Sequence, residues 1–155
     1  MKKSTSIYKK IRQLLNLPVD EKLLLVLAFG LCGLFRFTLL FIPFRYLSRF
    51  MAKKIHQPPV LSSVTVQNNC RKVARIVNIA ANKTPWESKC LVRALAAKIL
   101  LRIFGYPNEL YLGVKKDENG NLIAHAWLNS CTYNISGGSS EINTGYAIVG
   151  KYFDD

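Results

Sequence analysis

The 22 residues from Leu23 to Phe44 carry a single charge, Arg36, and any fold this chain adopts must take that run out of water. Its length meets the criterion for a membrane span, although a charge inside a span is unusual. On an insertion scale one arginine costs about 3 kcal/mol, less than the surrounding Leu, Val, Ile and Phe residues supply, so composition admits insertion. A buried helix, or two helices broken near Gly30 and Gly33, satisfies the run equally well. Pro43 would end it, because proline lacks a backbone donor and clashes inside a helix. Phe44 to Ile55 (FRYLSRFMAKKI) then alternates apolar and basic residues at helical spacing, and its basic face suits anionic lipid or water. Three placements stay open: a packed helical subdomain, peripheral membrane contact and a true span.

With 155 residues the chain can bury one ordinary core without staples. Lysine and arginine outnumber acids 22 to 9, a formal net charge of +13, which points to acidic partners, anionic membrane or nucleic acid. The cations are spread along the chain and accompany no recognition helix, zinc finger or RNA-binding signature, so no nucleic acid is expected. Cys32, Cys70, Cys90 and Cys131 are widely spaced with no CxxC pair, which suggests reduced thiols and neither a metal site nor a cofactor. The apolar run is too long for a signal peptide and ends at ProPheArg without a small-residue cleavage site. A cytoplasmic protein is expected, with the inner face of the cell membrane as the surface its basic front could touch.

Ile7 to Leu17 is a short amphipathic piece closed by Pro18, and Asp20 and Glu21 open the next helix with acids where the helix dipole favours them. ProPro and SerSer within His56 to Ser63 read as a linker, dividing a front of residues 1–60 from a core of residues 61–155. Val66 to Ala81 places Val66, Cys70, Val73, Ile76, Val77 and Ala80 on one stripe, an amphipathic helix with Cys70 in its packing face. Trp86 to Leu101 (WESKCLVRALAAKILL) predicts another helix, with Cys90 near its start. Strands are expected at Glu109 to Lys115, Leu122 to Leu128, Thr132 to Ile135 and Tyr146 to Phe153, with AsnGly at Asn119 and Gly120 marking a tight hairpin. Helices followed by an antiparallel sheet of about four strands make the fold class α+β.

Cys90 is the residue best placed for chemistry. At the first turn of a helix, unpaired backbone amides and the helix dipole stabilise negative charge and favour the nucleophilic thiolate. His125, mid-strand in AHAWLN (Ala124 to Asn129), could be held against that helix as a general base. Each residue alone is more commonly a packing residue; the pair, in this order, carries the signal.

WESKCLVRALAAKILLRIFGYPNELYLGV from Trp86 to Val114, followed by IAHAWLN, resembles the peptidase component of lasso-peptide biosynthesis, a family with a transglutaminase-like or papain-like core. ProPheArgTyrLeu at Pro43 to Leu47 is similar to that family's helical front, and SerGlyGly at Ser136 resembles the segment after its histidine strand. The resemblance implies a cysteine peptidase that removes the leader from a ribosomally made precursor peptide, so that a separate ATP-dependent macrolactam cyclase can close the core. Cys90 would attack the carbonyl at the junction, His125 would move the proton, and the Cys90 amide would be the first oxyanion donor. Leader recognition in this family belongs to a small peptide-binding domain, expected here as a separate chain.

The family places an aspartate after the histidine strand to orient the imidazole, yet from Ala126 to Tyr152 the only acid is Glu141. If a two-residue turn at Asn129 and Ser130 closes the hairpin, Asn134 falls opposite His125 and can orient it, as asparagine does in papain-like proteases. A turn shifted by one residue would place Ser136 there. Two other functions share these features: a non-enzymatic membrane-associated scaffold of a maturation complex, and an acyl transferase using the same Cys90 and His125.

Overall fold

The computed structural model describes residues 18–51, 63–131, 133–138, 143 and 145–154. The amphipathic piece Ile7 to Leu17, the basic segment after Met51 and the boundary expected near residue 60 lie outside them.

Helix α1 (Val19–Phe41) starts behind Pro18, whose carbonyl accepts from the Lys22 amide at 3.0 Å, with Asp20 and Glu21 in the first turn. It runs unbroken through Gly30 and Gly33, so the break considered at those glycines does not occur. Gly33 is required by a close approach: a Cβ there would stand 2.9 Å from the Trp86 ring. Ile42 leaves the helix in an extended conformation before Pro43, and α2 (Phe44–Met51) comes next and lies against the last strand. Helix α3 (Val64–Ala81) is capped by Ser63, whose hydroxyl accepts from the Val66 amide at 3.3 Å. Helix α4 (Cys90–Ile103) is buried along most of its length.

Four antiparallel strands, β1 (Asn108–Lys116), β2 (Leu122–Ser130), β3 (Tyr133–Ser136) and β4 (Ala147–Asp154), form one sheet in the order β3-β2-β1-β4. The fold is α+β, helices first and sheet second. The core lies on one face of that sheet: Leu110, Ala126, Leu128 and Ile135 meet Leu95 and Leu100 of α4, Ile76 and Val77 of α3, and Ala28 and Cys32 of α1. The apolar front therefore contributes one stripe, Leu24, Ala28, Cys32 and Phe35, to the same core as α3 and α4. Ion pairs Asp20–Lys72 at 2.9 Å and Glu21–Arg75 at 2.6 Å fasten α1 to α3.

A buried polar knot joins the far end of α4 to the sheet. Lys98, 1 % exposed, lies 3.0 Å from the Asp154 carboxylate and donates to Asn108 Oδ1 at 3.0 Å, while Arg102 reaches the other Asp154 oxygen at 2.6 Å. Burial pushes the Lys98 ammonium below the usual lysine range, opposed by Asp154. The knot fixes the axis of α4, and with it the position of its first residue.

Candidate active site

Cys90 is the first residue of α4. The first intrahelical bond runs from the Arg93 amide to Lys89 O at 3.2 Å, so the amides of Cys90, Leu91 and Val92 precede the ladder, and the Lys89 side chain caps none of them. No acid lies in this turn, and the thiol is half-buried against the core. The helix end is thus a place where a developing oxyanion beside Cys90 would find donors and a favourable dipole.

The segment before Cys90 is held from three sides. Thr84 Oγ1 lies 2.9 Å from Ala81 O, 3.0 Å from Trp86 O and 2.9 Å from Ser88 Oγ. Arg93 Nε donates to Ser88 O at 2.8 Å and its terminal nitrogen to Asn82 Oδ1 at 2.8 Å, a planar fork clamping both ends of the loop. Trp86 packs over Gly33 between Phe29 and Phe37, ring centroids 5.3 and 6.2 Å away. Helix α1 therefore supports the cysteine loop directly.

His125 sits in the middle of β2, paired with Gly113 of β1. Strand alternation sends Ala126 and Leu128 into the helix-facing core, and His125 and Trp127 onto the reverse face. There Trp127 stacks on Tyr111 at 5.5 Å, and His125 lies 6.1 Å from Trp127 and 5.2 Å from Tyr146 between ring centroids. Lys115 and Lys151 place their ammonium groups 4.6 Å over Tyr146 and 5.0 Å over Tyr111. Tyr111 also donates to the Glu109 carboxylate, and burial followed by that carboxylate pushes its phenol up.

His125 Nε2 is 2.6 Å from Gly137 O. A carbonyl oxygen only accepts, so Nε2 carries a proton, and the lone pair with which the ring can act as a base is at Nδ1. Gly137 reaches this position at φ +99°, folded so tightly over β2 that a Cβ would stand 2.4 Å from Trp127 Cβ and 2.7 Å from Ala126 O.

No hydrogen bond joins Cys90 and His125 among the described residues, and strand alternation puts His125 on the face of β2 away from the core against which Cys90 packs. The expected register of Asn134 is corrected. Strand β2 continues to Ser130, so Asn134 pairs with Asn129, to which its amide donates at 3.0 Å, and not with His125. Ser136 pairs with Leu128, which removes the shifted-turn alternative as well. Ser130 stays in the strand because it is buried and its hydroxyl donates to Pro107 O at 2.7 Å. Cys131 then makes the reversal at φ +51°. The group that orients His125 is thus a main-chain carbonyl, and only the glycine pair Gly137 and Gly138 could have signalled it in the sequence.

Of the other thiols, Cys32 and Cys70 are fully buried, and burial raises both, Cys70 to about 11. Among the described residues no three His, Cys, Asp or Glu side chains converge as a metal site needs.

A family profile described as the transglutaminase-like superfamily matches residues 38–150. No curated protein and no solved structure matches the chain.

Proposed function

The chain belongs to the transglutaminase-like superfamily, and from that premise we propose that it is a cysteine peptidase removing the leader from a ribosomally made precursor during lasso-peptide maturation. Membership is consistent with a cysteine peptidase or an acyltransferase. The observation that carries the choice of nucleophile is Cys90 as the first residue of α4, with three amides ahead of the helical ladder. The finer assignment rests on the CLVRALA and AHAWL segments and their resemblance to lasso leader peptidases.

His125 takes the Cys90 thiol proton as Sγ attacks the carbonyl carbon at the junction, forming a C–S bond while the carbonyl oxygen takes negative charge beside the α4 amides. The C–N bond then breaks, and the imidazolium of His125 gives its proton to the leaving amine, which becomes the new terminus of the core peptide. Water, deprotonated by His125, cleaves the thioester, releasing the leader carboxylate and restoring the thiol. Nδ1 of His125 is the atom for this proton, since Nε2 is engaged by Gly137.

These steps require Cys90 and His125 to meet, so the reading includes assembly of the pair when the precursor, delivered by a separate leader-recognition protein, engages the enzyme. Asn134 has no part in it, being paired with Asn129. The macrolactam cyclase acts on the released core.

The test is cleavage of the precursor with the leader-recognition protein present. Cys90→Ala and His125→Ala should each abolish it while far-ultraviolet circular dichroism stays unchanged. Retained cleavage by either variant removes that residue from the mechanism.

The lack of a Cys90–His125 hydrogen bond among the described residues favours one rival, a non-enzymatic scaffold for the maturation complex. Wild-type protein inert toward the precursor with every partner present would select it. Acyl transfer to an amine uses the same two residues, and mass analysis of the leader fragment separates the products, a carboxylate from hydrolysis and an amide from transfer.

A further inference from the structure

Helix α1 has a second face that the core does not use. Val19, Leu23, Val26, Leu34, Phe37 and Phe41 recur at intervals of three, four and eight residues with Gly30 between them, and form one stripe along the whole helix. They are 73, 68, 71, 59, 56 and 81 % exposed, respectively. The stripe is about 33 Å long, at about 1.5 Å per residue, and contains no polar side chain. Uninterrupted apolar surface of this extent is uncommon on a monomer in water.

We infer that α1 lies along an anionic lipid surface, its outer stripe in the boundary between headgroups and acyl chains, without crossing the bilayer. Two observations select this occupant. First, the inner face of α1 is taken: Leu24, Ala28, Cys32 and Phe35 are in the core, and Asp20 and Glu21 are paired with Lys72 and Arg75 of α3. A span would draw those ion pairs and the polar face of α3 into hydrocarbon, whereas an interfacial helix offers lipid only one side. Second, the stripe is bracketed by charge of one sign. Lys2, Lys3, Lys9, Lys10 and Arg12 precede it without an acid, and Arg45, Arg49, Lys53 and Lys54 come after it, with no acid until Glu87. Such segments attract anionic headgroups. A second copy of the chain would instead bring together two chains of net charge +13 each. Tyr46, 46 % exposed and accepting a hydrogen bond from Arg45 at 3.0 Å, adds an amphipathic ring beside the C-terminal end of the stripe.

The experiment is flotation of the full chain with vesicles of phosphatidylcholine alone or mixed with phosphatidylglycerol. The chain should float with the mixed vesicles, weakly with the neutral ones, and be released by high salt together with alkaline carbonate. Val26→Gln/Leu34→Gln, both on the exposed stripe, should lower partitioning about ten-fold or more with an unchanged thermal midpoint. Lys53→Gln/Lys54→Gln should weaken binding to mixed vesicles only, which tests the charge half of the inference. Failure to float with mixed vesicles overturns it, as does undiminished binding by the stripe variant. Retention after carbonate shows a span and overturns it. Self-association in lipid-free solution that the stripe variant abolishes, with no vesicle binding, assigns the face to a second copy and overturns it.

Discussion

His125 Nε2 stands 2.6 Å from the carbonyl oxygen of Gly137, so the imidazole is oriented by main chain. This fixes the tautomer as a carboxylate would, leaving Nδ1 to exchange protons, but a neutral dipole stabilises an imidazolium less than an ionised aspartate does. The position depends on a residue without a Cβ, at φ +99° and pressed on Trp127.

Gly137→Ala should therefore cost about 1–3 kcal/mol of stability from backbone strain and the clash with Trp127. It should also abolish cleavage by displacing the carbonyl from His125. Gly120→Ala, at φ +81° but with nothing within 4 Å of its Cβ, separates the effects, costing about 1 kcal/mol with cleavage retained. Urea unfolding and precursor cleavage measure both, and equal activity in the two variants would show that Gly137 does not serve His125.

Much of this fold can be read from local chemistry, and what cannot is a matter of register and of faces. Asp20 and Glu21 at the start of α1, Pro43 at its end, and Asn119–Gly120 in the hairpin act within a few residues, so their elements fall where the sequence places them. The end of β2 does not, because Ser130 is kept in the strand by Pro107, 23 residues away, and that slip of register moves Asn134 from His125 to Asn129. Composition likewise shows that α1 is apolar but not that one stripe of it stays outside the core. The Cys90 helix is legible from its own residues; the orienting carbonyl of Gly137 is not, since it belongs to no side chain.

Cys90 should be the first thiol alkylated by iodoacetamide in the native protein near neutral pH. Cys32 and Cys70 are 0 % exposed and raised by burial, Cys70 to about 11, so both stay protonated and covered. Raising the pH to about 9 should leave Cys70 slow, because it remains below the raised value. Cys131, half-buried with its sulfur 3.4 Å from that of Cys70, should react after Cys90. Peptide mapping at short times gives the order, and equal, slow modification of all four would count against Cys90 as the nucleophile.

Lys98→Met should destabilise the fold by about 3–5 kcal/mol, toward the lower figure because Arg102 still neutralises Asp154. Lys98→Met/Asp154→Asn should recover part of the loss by removing a buried carboxylate that is left with Arg102 as its one cation among the described residues. The pH dependence has a definite sign. Burial lowers the native pKa of Lys98, so the unfolded chain binds that proton more tightly, and this group's contribution to stability rises with pH from the lowered value toward the ordinary lysine range. The methionine variant lacks the rise, and its deficit should widen on the alkaline side in urea titrations.

Arg93→Lys tests whether the cysteine loop needs a fork or only a cation. Arg93 holds Ser88 O and Asn82 Oδ1, both at 2.8 Å, through two nitrogens of one plane, and a lysine ammonium cannot keep that geometry. The loss should be about 1.5–3 kcal/mol of stability, the worth of one charge-assisted hydrogen bond. Because the loop ends at Cys90, turnover should fall about ten-fold as the nucleophile loses its alignment, with little change in KM. Arg93→Met should lose both contacts and fall further on both measures. Cleavage kinetics beside the rate of Cys90 alkylation make the distinction: lower turnover with unaltered alkylation means misalignment toward substrate, whereas wild-type turnover in Arg93→Lys would show that positive charge alone suffices.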